Sequence, residues 1–359
     1  MRKEWMIKTL VIGIISLFIC MSINPSFAFD NPVSSGNTLY VGGSGEGNYT
    51  KIQDAINDAF DGDIVFVYDD SSPYYEHVEV YKSVSLIGED KNTTVIAENG
   101  IRIRKSGVNI HGFTFKHGGI SSASFMGFIN NLVISDNNFI QCQGLNFGIE
   151  FQEIDNSYII SNTFINCSYS IYLDYCSSNK IANNIFIQED RSYDAITCEG
   201  RGKHIIINNT FIDYNEEIDR IGLILLVTSD NIIEENEFDG FSKAIWCQFF
   251  TSSNIISHNT FINNDYGFYI GYSLFFIYVS FSNRIINNNF INNNVDAYIL
   301  YPLNLNIFDG NYWDEWIGLK IPILSFFPYI YFKPLSSIID LHPAKEPYNM
   351  TSTQGCGIE

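Results

Sequence analysis

Apolar and polar positions recur along this chain as a fixed phrase: an isoleucine, an asparagine three positions on, and a phenylalanine two positions further. Its copies are Ile134/Asn137/Phe139, Ile159/Asn162/Phe164, Ile181/Asn184/Phe186, Ile206/Asn209/Phe211, Ile233/Asn236/Phe238, Ile256/Asn259/Phe261 and Ile285/Asn288/Phe290. Ile110/Phe113/Phe115 in front and Phe308/Asn311/Trp313 behind are variants at the same spacing. Closing aromatics follow one another every 22 to 29 residues, the period of a repeat architecture. A second phrase, small-apolar-x-apolar, appears in Gly148-Ile149-Glu150-Phe151, Ser170-Ile171-Tyr172-Leu173, Ala195-Ile196-Thr197-Cys198, Ala244-Ile245-Trp246-Cys247 and Gly267-Phe268-Tyr269-Ile270. The apolar pair points inward and the residue between them outward, while Asn263-Asn264 and Asn292 to Asn294 mark turns.

Three short strands in each repeat cannot bury their faces alone, so they must stack in parallel around one interior. The expected fold is all-β, a single-stranded parallel β-helix, with isoleucine on isoleucine and phenylalanine on phenylalanine. Each asparagine then bonds to its counterparts above and below, which satisfies a polar group near the core.

Before the repeats, Thr50-Lys51-Ile52-Gln53 has the form of a capping box, and Ile52, Ala55, Ile56, Ala59 and Phe60 recur at helical spacing up to Gly62. One amphipathic helix is predicted, placed to cover the open end of the stack. Strands are predicted at Ile64–Tyr68, His77–Val80, Val84–Ile87, Thr94–Ala97 and Ile101–Arg104. The predicted organisation is a signal peptide over 1–28, an N-terminal strand and capping helix over 29–63, a β-helix over 64–316, and a C-terminal cap and tail over 317–359.

The N-x-F rungs, the small-apolar-x-apolar strands, the opening Tyr49-Thr50-Lys51-Ile52-Gln53-Asp54-Ala55-Ile56, Tyr75-Glu76-His77-Val78 and Ser83 to Glu89 together resemble the right-handed parallel β-helix of the pectin-lyase-like superfamily. Within it they are most similar to NosD-like, carbohydrate-binding and sugar-hydrolase type repeat proteins. The closing Asn311-Tyr312-Trp313-Asp314 resembles the terminal phrase of such surface proteins. This resemblance implies a fold that hosts lyases, hydrolases, esterases, adhesins and scaffolds, so it does not choose an activity. The esterase motifs Q-D-T-L, G-x-V-D-F-I-F-G and L-G-R-P-W are missing. Lyases of the fold imply a basic residue near acidic calcium ligands; Arg191, Arg201, Lys203, Arg220, Lys243 and Arg284 are available, none in a recognisable motif. The family name implies copper, yet His77, His111, His117, His204, His258 and His342 share no repeat column and read as isolated surface or turn histidines. No cofactor and no structural copper are expected, while calcium remains open.

Acidic residues outnumber basic ones 40 to 20, and a net charge of −20 repels phosphates and anionic lipid, which argues against a nucleic-acid partner. Arg2, Lys3 and Lys8, the apolar run Leu10 to Met21, and Ser26-Phe27-Ala28 have the order of an export signal, so a secreted or cell-surface location is expected. The later apolar segment Ile317 to Ile339 is broken by Pro322, Pro328, Pro334, Lys320 and Lys333, and no transmembrane anchor is expected after signal removal. Outside the cell disulfides are permitted, and Cys142 and Cys167 fall in one slot of consecutive repeats, within reach of a bridge or as stacked free thiols. Cys198 and Cys247 read as core fillers. The sequons at Asn48, Asn92, Asn166, Asn208 and Asn349 arise easily in an Asn-rich chain and decide nothing.

Candidate chemistry lies on the outward row Glu150, Tyr172, Thr197, Trp246, Tyr269, with Gln152, Asp174, Glu199, Gln248 and Gly271 two positions on. Aromatic faces stack on sugar rings and carboxylates and amides hold hydroxyls, so Glu150, Tyr172, Asp174, Glu199, Trp246, Gln248 and Tyr269 are the expected ligand-binding residues. Aromatic residues on strands also serve packing alone. Asp174 and Glu199 share a slot in adjacent rungs and are the candidates for a catalytic pair, against the plainer reading of two solvated side chains. Glu234, Glu235, Glu237 and Asp239 are the candidate calcium ligands, or a solvated edge. Leu274 to Val279 reads as an extra packed strand or an exposed partner patch. Three functions stay open: non-catalytic binding of a carbohydrate or envelope component, a polysaccharide lyase or glycoside hydrolase, and a purely structural or adhesive surface protein.

Overall fold

The structure is a computed structural model that describes residues 36–124, 129–142, 147–189, 194–214, 219–271, 280–299, 306–314, 340 and 342–349. The expected export signal, the run Leu274 to Val279, the segment 317–339, Arg191 and Cys356 lie outside these residues. Most turns of the chain contribute one strand to each of three parallel sheets, called A, B and C here, of twelve, ten and ten strands. The five strands expected at the N-terminal end are found at Ile64–Val67, Val78–Val80, Ser85–Gly88, Val95–Ala97 and Ile101–Ile103. Sheet A begins earlier, at Thr38–Val41, which pairs in parallel with Ile64–Val67. Among the described residues no helix is long and apolar enough to cross a membrane.

Register explains the repeated phrase. Ile110, Ile134, Ile159, Ile181, Ile206, Ile233, Ile256 and Ile285 stand directly over one another in sheet A. From Phe115 to Trp313 the phenylalanine column of sheet B stacks ring on ring at centroid distances of 4.3 to 5.5 Å. That spacing is the strand separation itself, so the flat face of each ring fills the space that the backbone leaves. Between the two columns the chain turns through one left-handed residue, with φ of 52 to 57° at Asp136, Ser161, Asn183, Asn208, Glu235, His258 and Asn287. The next residue is the buried asparagine. Asn209 is typical: its backbone N–H and its amide each donate to Asn236 Oδ1 at 2.9 Å, and its amide also reaches the Ile181 carbonyl at 3.0 Å. In the first variant repeat Phe113 has no amide, and the ladder ends on its backbone N–H, which donates to Asn137 Oδ1. At the other end Asp340 closes the column, accepting from Gly310 N, Asn311 N, Asn311 Nδ2 and Trp313 Nε1 at 2.9 to 3.0 Å.

A second ladder runs beside the isoleucine column through Ser157, Asn179, His204, Asn231, Asn254, Asn283 and Asn306, each accepting from the backbone N–H one rung before it. This corrects the reading of His204 as a surface or turn residue: it is 1% exposed. Nδ1 of His204 accepts from the Asn179 N–H at 3.3 Å, so the ring is the neutral Nε2–H tautomer and takes the place of an amide. Burial pushes its pKa down to about 4.

The predicted helix spans Ile52–Asp58 and packs its Ile52, Ala55 and Ile56 onto the first strands of sheets A and C, at the open end of the core. Its predicted capping box does not form. Lys51 holds the N-cap position without a side-chain bond, and Glu76 caps the helix from a distant turn, accepting from Ile52 N at 2.8 Å and Gln53 N at 3.1 Å. Cys142, Cys167, Cys176, Cys198 and Cys247 are buried free thiols. Cys142 and Cys167 do meet in the core, and Cys142 Sγ donates to the Gly118 carbonyl at 2.9 Å. Cys198 and Cys247 lie in one column with Leu225 between them, as core fillers.

Candidate functional site

Alternation along the sheet C strands puts every second side chain outside the solenoid, and register sets these residues in rows. One row reads Glu79, Arg102, Ser121, Glu150, Tyr172, Thr197, Ile224, Trp246, Tyr269, Tyr298. The row two residues on includes Gln152, Asp174, Glu199, Leu226 and Gln248. The face therefore changes character midway, from charged to apolar and aromatic.

The apolar half is covered at three of its positions. Thr197, Ile224 and Tyr269 are 6, 8 and 9% exposed, which corrects the expectation that Thr197 and Tyr269 offer open positions. Parallel register stacks aromatic rings on one another at the rung spacing, and Tyr269 accordingly stacks on Tyr298 at 5.0 Å and meets Tyr266 edge-on at 5.1 Å. Trp246 donates its indole N–H to the Gly271 carbonyl at 2.9 Å. Lys243 covers the rings of Trp246 and Tyr269, 5.4 and 5.7 Å from their centroids, and pairs with Asp219 at 2.7 Å. Trp246 and Gln248 are half-buried parts of this packed region.

The charged half is accessible. Glu150, Tyr172, Asp174 and Glu199 are all half-buried, held on three consecutive rungs. The Tyr172 hydroxyl donates to Glu199 Oε2 at 2.6 Å, and the Gln152 amide donates to Asp174 Oδ2 at 3.1 Å. Burial raises the pKa of Asp174, with the Glu199 carboxylate adding to it; burial and Asp174 likewise raise that of Glu150. Burial, the bond to Glu199 and three nearby carboxylates push the Tyr172 phenol well above its ordinary value. Two residues absent from the expected site complete it. Phe147 lies 5.3 Å from Tyr172 and 5.2 Å from Tyr169, so three rings wall the acidic row. Their signal was in the sequence: Phe147 and Tyr169 each directly precede the small residue of the small-apolar-x-apolar phrase. Such a surface can stack on sugar rings and accept hydrogen bonds from hydroxyl or ammonium groups, and it repels polyanions.

The candidate bases are dispersed. Arg220 is fully buried against Asp213 at 2.9 Å, Arg201 pairs with Asp155 at 2.6 Å, and Arg284 lies on sheet A. The four candidate calcium ligands divide between two faces. Glu234 lies outside sheet A with Ser257 and His258, whereas Glu237 and Asp239 lie outside sheet B, where Asn263 donates to Asp239 at 2.9 Å. Glu235 occupies the left-handed turn between them.

A solenoid of three parallel sheets with stacked asparagine and aromatic columns is a parallel β-helix, and residues 148–312 match the family described as right handed beta helix region. Residues 30–220, more than half of the chain, match the family described as periplasmic copper-binding protein (NosD), and the chain belongs to that family. No curated protein sequence matches the chain. Similar solved structures include PfbA, a surface adhesin of Streptococcus pneumoniae, at 13% identity over 73% of this chain and 80% of that one, with a TM-score of 0.54. The complex of XylC with xylose matches at 11% identity over 77% and 75%, with a TM-score of 0.54. The A-module of the Azotobacter vinelandii mannuronan C-5 epimerase AlgE6 matches at 12% identity over 73% and 88%, with a TM-score of 0.52. At these identities the likeness is one of fold.

Copper does not fit the described residues. No three side chains of His, Cys, Asp or Glu converge among them. His258 and His342 each meet a single carboxylate, Glu234 at 3.3 Å and Asp309 at 2.8 Å, and His204 is committed to the ladder.

Proposed function

We propose that this chain is an extracytoplasmic β-helix protein that binds a neutral or amino-bearing glycan on the charged half of sheet C, without turning it over. The observation that carries the reading is the wall of Phe147, Tyr169 and Tyr172 against the row Glu150, Asp174, Glu199. Rings supply apolar faces for sugars, and carboxylates fixed by Tyr172 and Gln152 are ready acceptors. The same carboxylates disfavour a polyuronate ligand; of the arginines on the neighbouring rung, Arg102 lies near Glu150 and Arg104 is held by Glu79 at 2.7 Å. The periplasmic description of the family and the export-type opening support the location. A glycan array probed with the protein tests the proposal: neutral or amino-sugar glycans bind, and Tyr172→Ala abolishes the signal. Binding confined to polyuronates, or indifferent to Tyr172→Ala, sinks it.

A second reading, hydrolysis, is favoured by one observation: Asp174 has a raised pKa beside Glu199, as a general acid and its partner carboxylate require. New reducing ends from a bound glycan, lost in both Asp174→Asn and Glu199→Gln, would establish it.

A further inference from the structure

Sheet A carries a cleft of about 420 Å³ on its outer face, at the end away from the C-terminus and on a different sheet from the row just described. Its floor is a row of three adjacent rungs, Phe66, Ile87 and His111, in direct register. All three are half-buried, so each keeps a face toward the cleft. The wall is an unusual junction. In later rungs two residues, such as Asp136 and Asn137, join a sheet A strand to its sheet B strand; here six residues, Glu89 to Thr94, separate Ser85–Gly88 from Val95–Ala97.

That longer junction is well braced. Asp90 turns it, its side chain accepting from Asn92 N at 2.9 Å and its carbonyl from Thr94 N at 2.8 Å. Thr93 ties it to Asp69 at 2.6 Å, and Lys91 reaches over to Asp136 at 2.6 Å. Bracing of this kind holds an overhang in place without closing it. Its side chains retain bonding capacity: Lys91 has further protons, and one oxygen each of Glu89 and Asp136 takes no hydrogen bond from the described residues. The ring nitrogens of His111 make no hydrogen bond among the described residues, with the Asp136 carboxylate nearby. Burial lowers the pKa of that ring, so near neutral pH it offers one donor and one acceptor.

We propose that this cleft is a second carbohydrate site, which takes about two sugar rings of a neutral oligosaccharide. Its size is that of a small-ligand site, and the floor from Phe66 to His111 spans two rung spacings, roughly 10 Å. Phe66 supplies an aromatic face that leads on to Tyr40 and Tyr68, whose rings lie 6.1 and 5.1 Å away. His111, Glu89, Lys91 and Asp136 supply donors and acceptors for hydroxyl groups. Three carboxylates against one ammonium disfavour an anion, and these side chains do not converge as metal ligands. The inference does not depend on the sheet C reading.

Saturation-transfer NMR on the intact protein tests it, with cellotriose, mannotriose and triacetylchitotriose as probes. Transfer to at least one probe is expected, falling about fivefold or more in Phe66→Ala and in His111→Ala, as loss of one stacking or hydrogen-bonding contact implies. All of these measurements are made in a Tyr172→Ala background, which removes the stacking ring of the sheet C row, so that transfer reports the sheet A cleft alone. Should Phe66→Ala melt early, His111→Gln and Glu89→Gln, which alter outward polar groups, decide the matter. No transfer to any probe, or transfer that survives the sheet A substitutions, overturns the proposal.

Discussion

The phenol of Tyr172 donates to Glu199 Oε2 at 2.6 Å, linking the aromatic wall of sheet C to its acidic row across one rung. The bond fixes the ring's orientation and occupies one carboxylate oxygen, leaving the other to a ligand. Tyr172→Ala is therefore expected to weaken glycan binding about tenfold or more, by loss of the stacking face. Tyr172→Phe keeps the face and frees Glu199, so its loss should be the smaller of the two. Titration calorimetry of both variants checks the order; a larger loss in Tyr172→Phe would show that the hydroxyl, and not the ring, meets the ligand.

The carboxyls of Glu150 and Asp174 make a prediction in pH. Burial first, and a neighbouring carboxylate second, raise both above the ordinary range, so the folded state holds these protons more tightly than the unfolded chain. Their contribution to stability is present at low pH and is lost as pH rises through the raised values. Asp174→Asn removes the charge, and should raise the melting temperature at neutral pH by on the order of 1 °C, a small gain because the group is solvent-screened. Below about pH 4 the gain should vanish. A gain of equal size at both pH values would refute the electrostatic account.

How far the sequence reveals these features depends on whether they repeat. The isoleucine and phenylalanine columns and the Asn137-to-Asn311 ladder were legible because one residue type recurs at one spacing. The second ladder was not, since serine, asparagine and histidine alternate in it at Ser157, Asn179 and His204, and only their hydrogen bonds unite them. The helix cap was misread for a related reason. Thr50 has the right local spacing, but the acceptor comes from Glu76, and a contact across the fold leaves no local pattern. On sheet C, alternation assigned the outward side of Tyr269 and Thr197 correctly, yet it carries no information about how closely neighbouring side chains cover that side.

His204 predicts an acid-sensitive rung. Its folded pKa is about 4, against an ordinary 6.5, because burial and its ladder position require the neutral ring. A depressed pKa means stability fully present above the unfolded value and lost as pH falls from there toward the folded one, in total about 3 kcal/mol. His204→Asn supplies an amide that does not titrate, and should flatten the stability profile between about pH 6.5 and 4 relative to the wild type. Parallel profiles from denaturant titrations at several pH values would remove His204 as the cause.

Asp340 predicts local fraying at the C-terminal end. Its carboxylate is the acceptor for Gly310 N, Asn311 N, Asn311 Nδ2 and Trp313 Nε1, the last rung's inward donors. Asp340→Ala leaves them without that partner, at about 1–3 kcal/mol for each group that stays buried. In a solenoid an end rung contacts one neighbour alone, so the damage should stay local. Amide exchange in residues 306–313 should quicken, while that in the strands near Ile134 and Ile159 stays slow. Uniform quickening along the chain would contradict this.

Asn209 tests the division between inward scaffold and outward face. Its Oδ1 accepts from Asn184 N at 2.9 Å and Asn184 Nδ2 at 3.0 Å, and its own amide donates to Asn236 Oδ1, Ile181 O and Ile207 O. Leucine matches the volume but satisfies none of these, so Asn209→Leu should cost about 3–5 kcal/mol, seen as a lower melting temperature. The side chain is 1% exposed, lies at the turn between sheets A and B, and makes its hydrogen bonds to Asn184, Asn236, Ile181 and Ile207, none of which belongs to the sheet C row. Below the variant's melting point, glycan affinity should therefore equal that of the wild type. A fall in affinity in fully folded protein would mean that the ladder sets the geometry of the outward face across the core, and the separation of scaffold from site would fail.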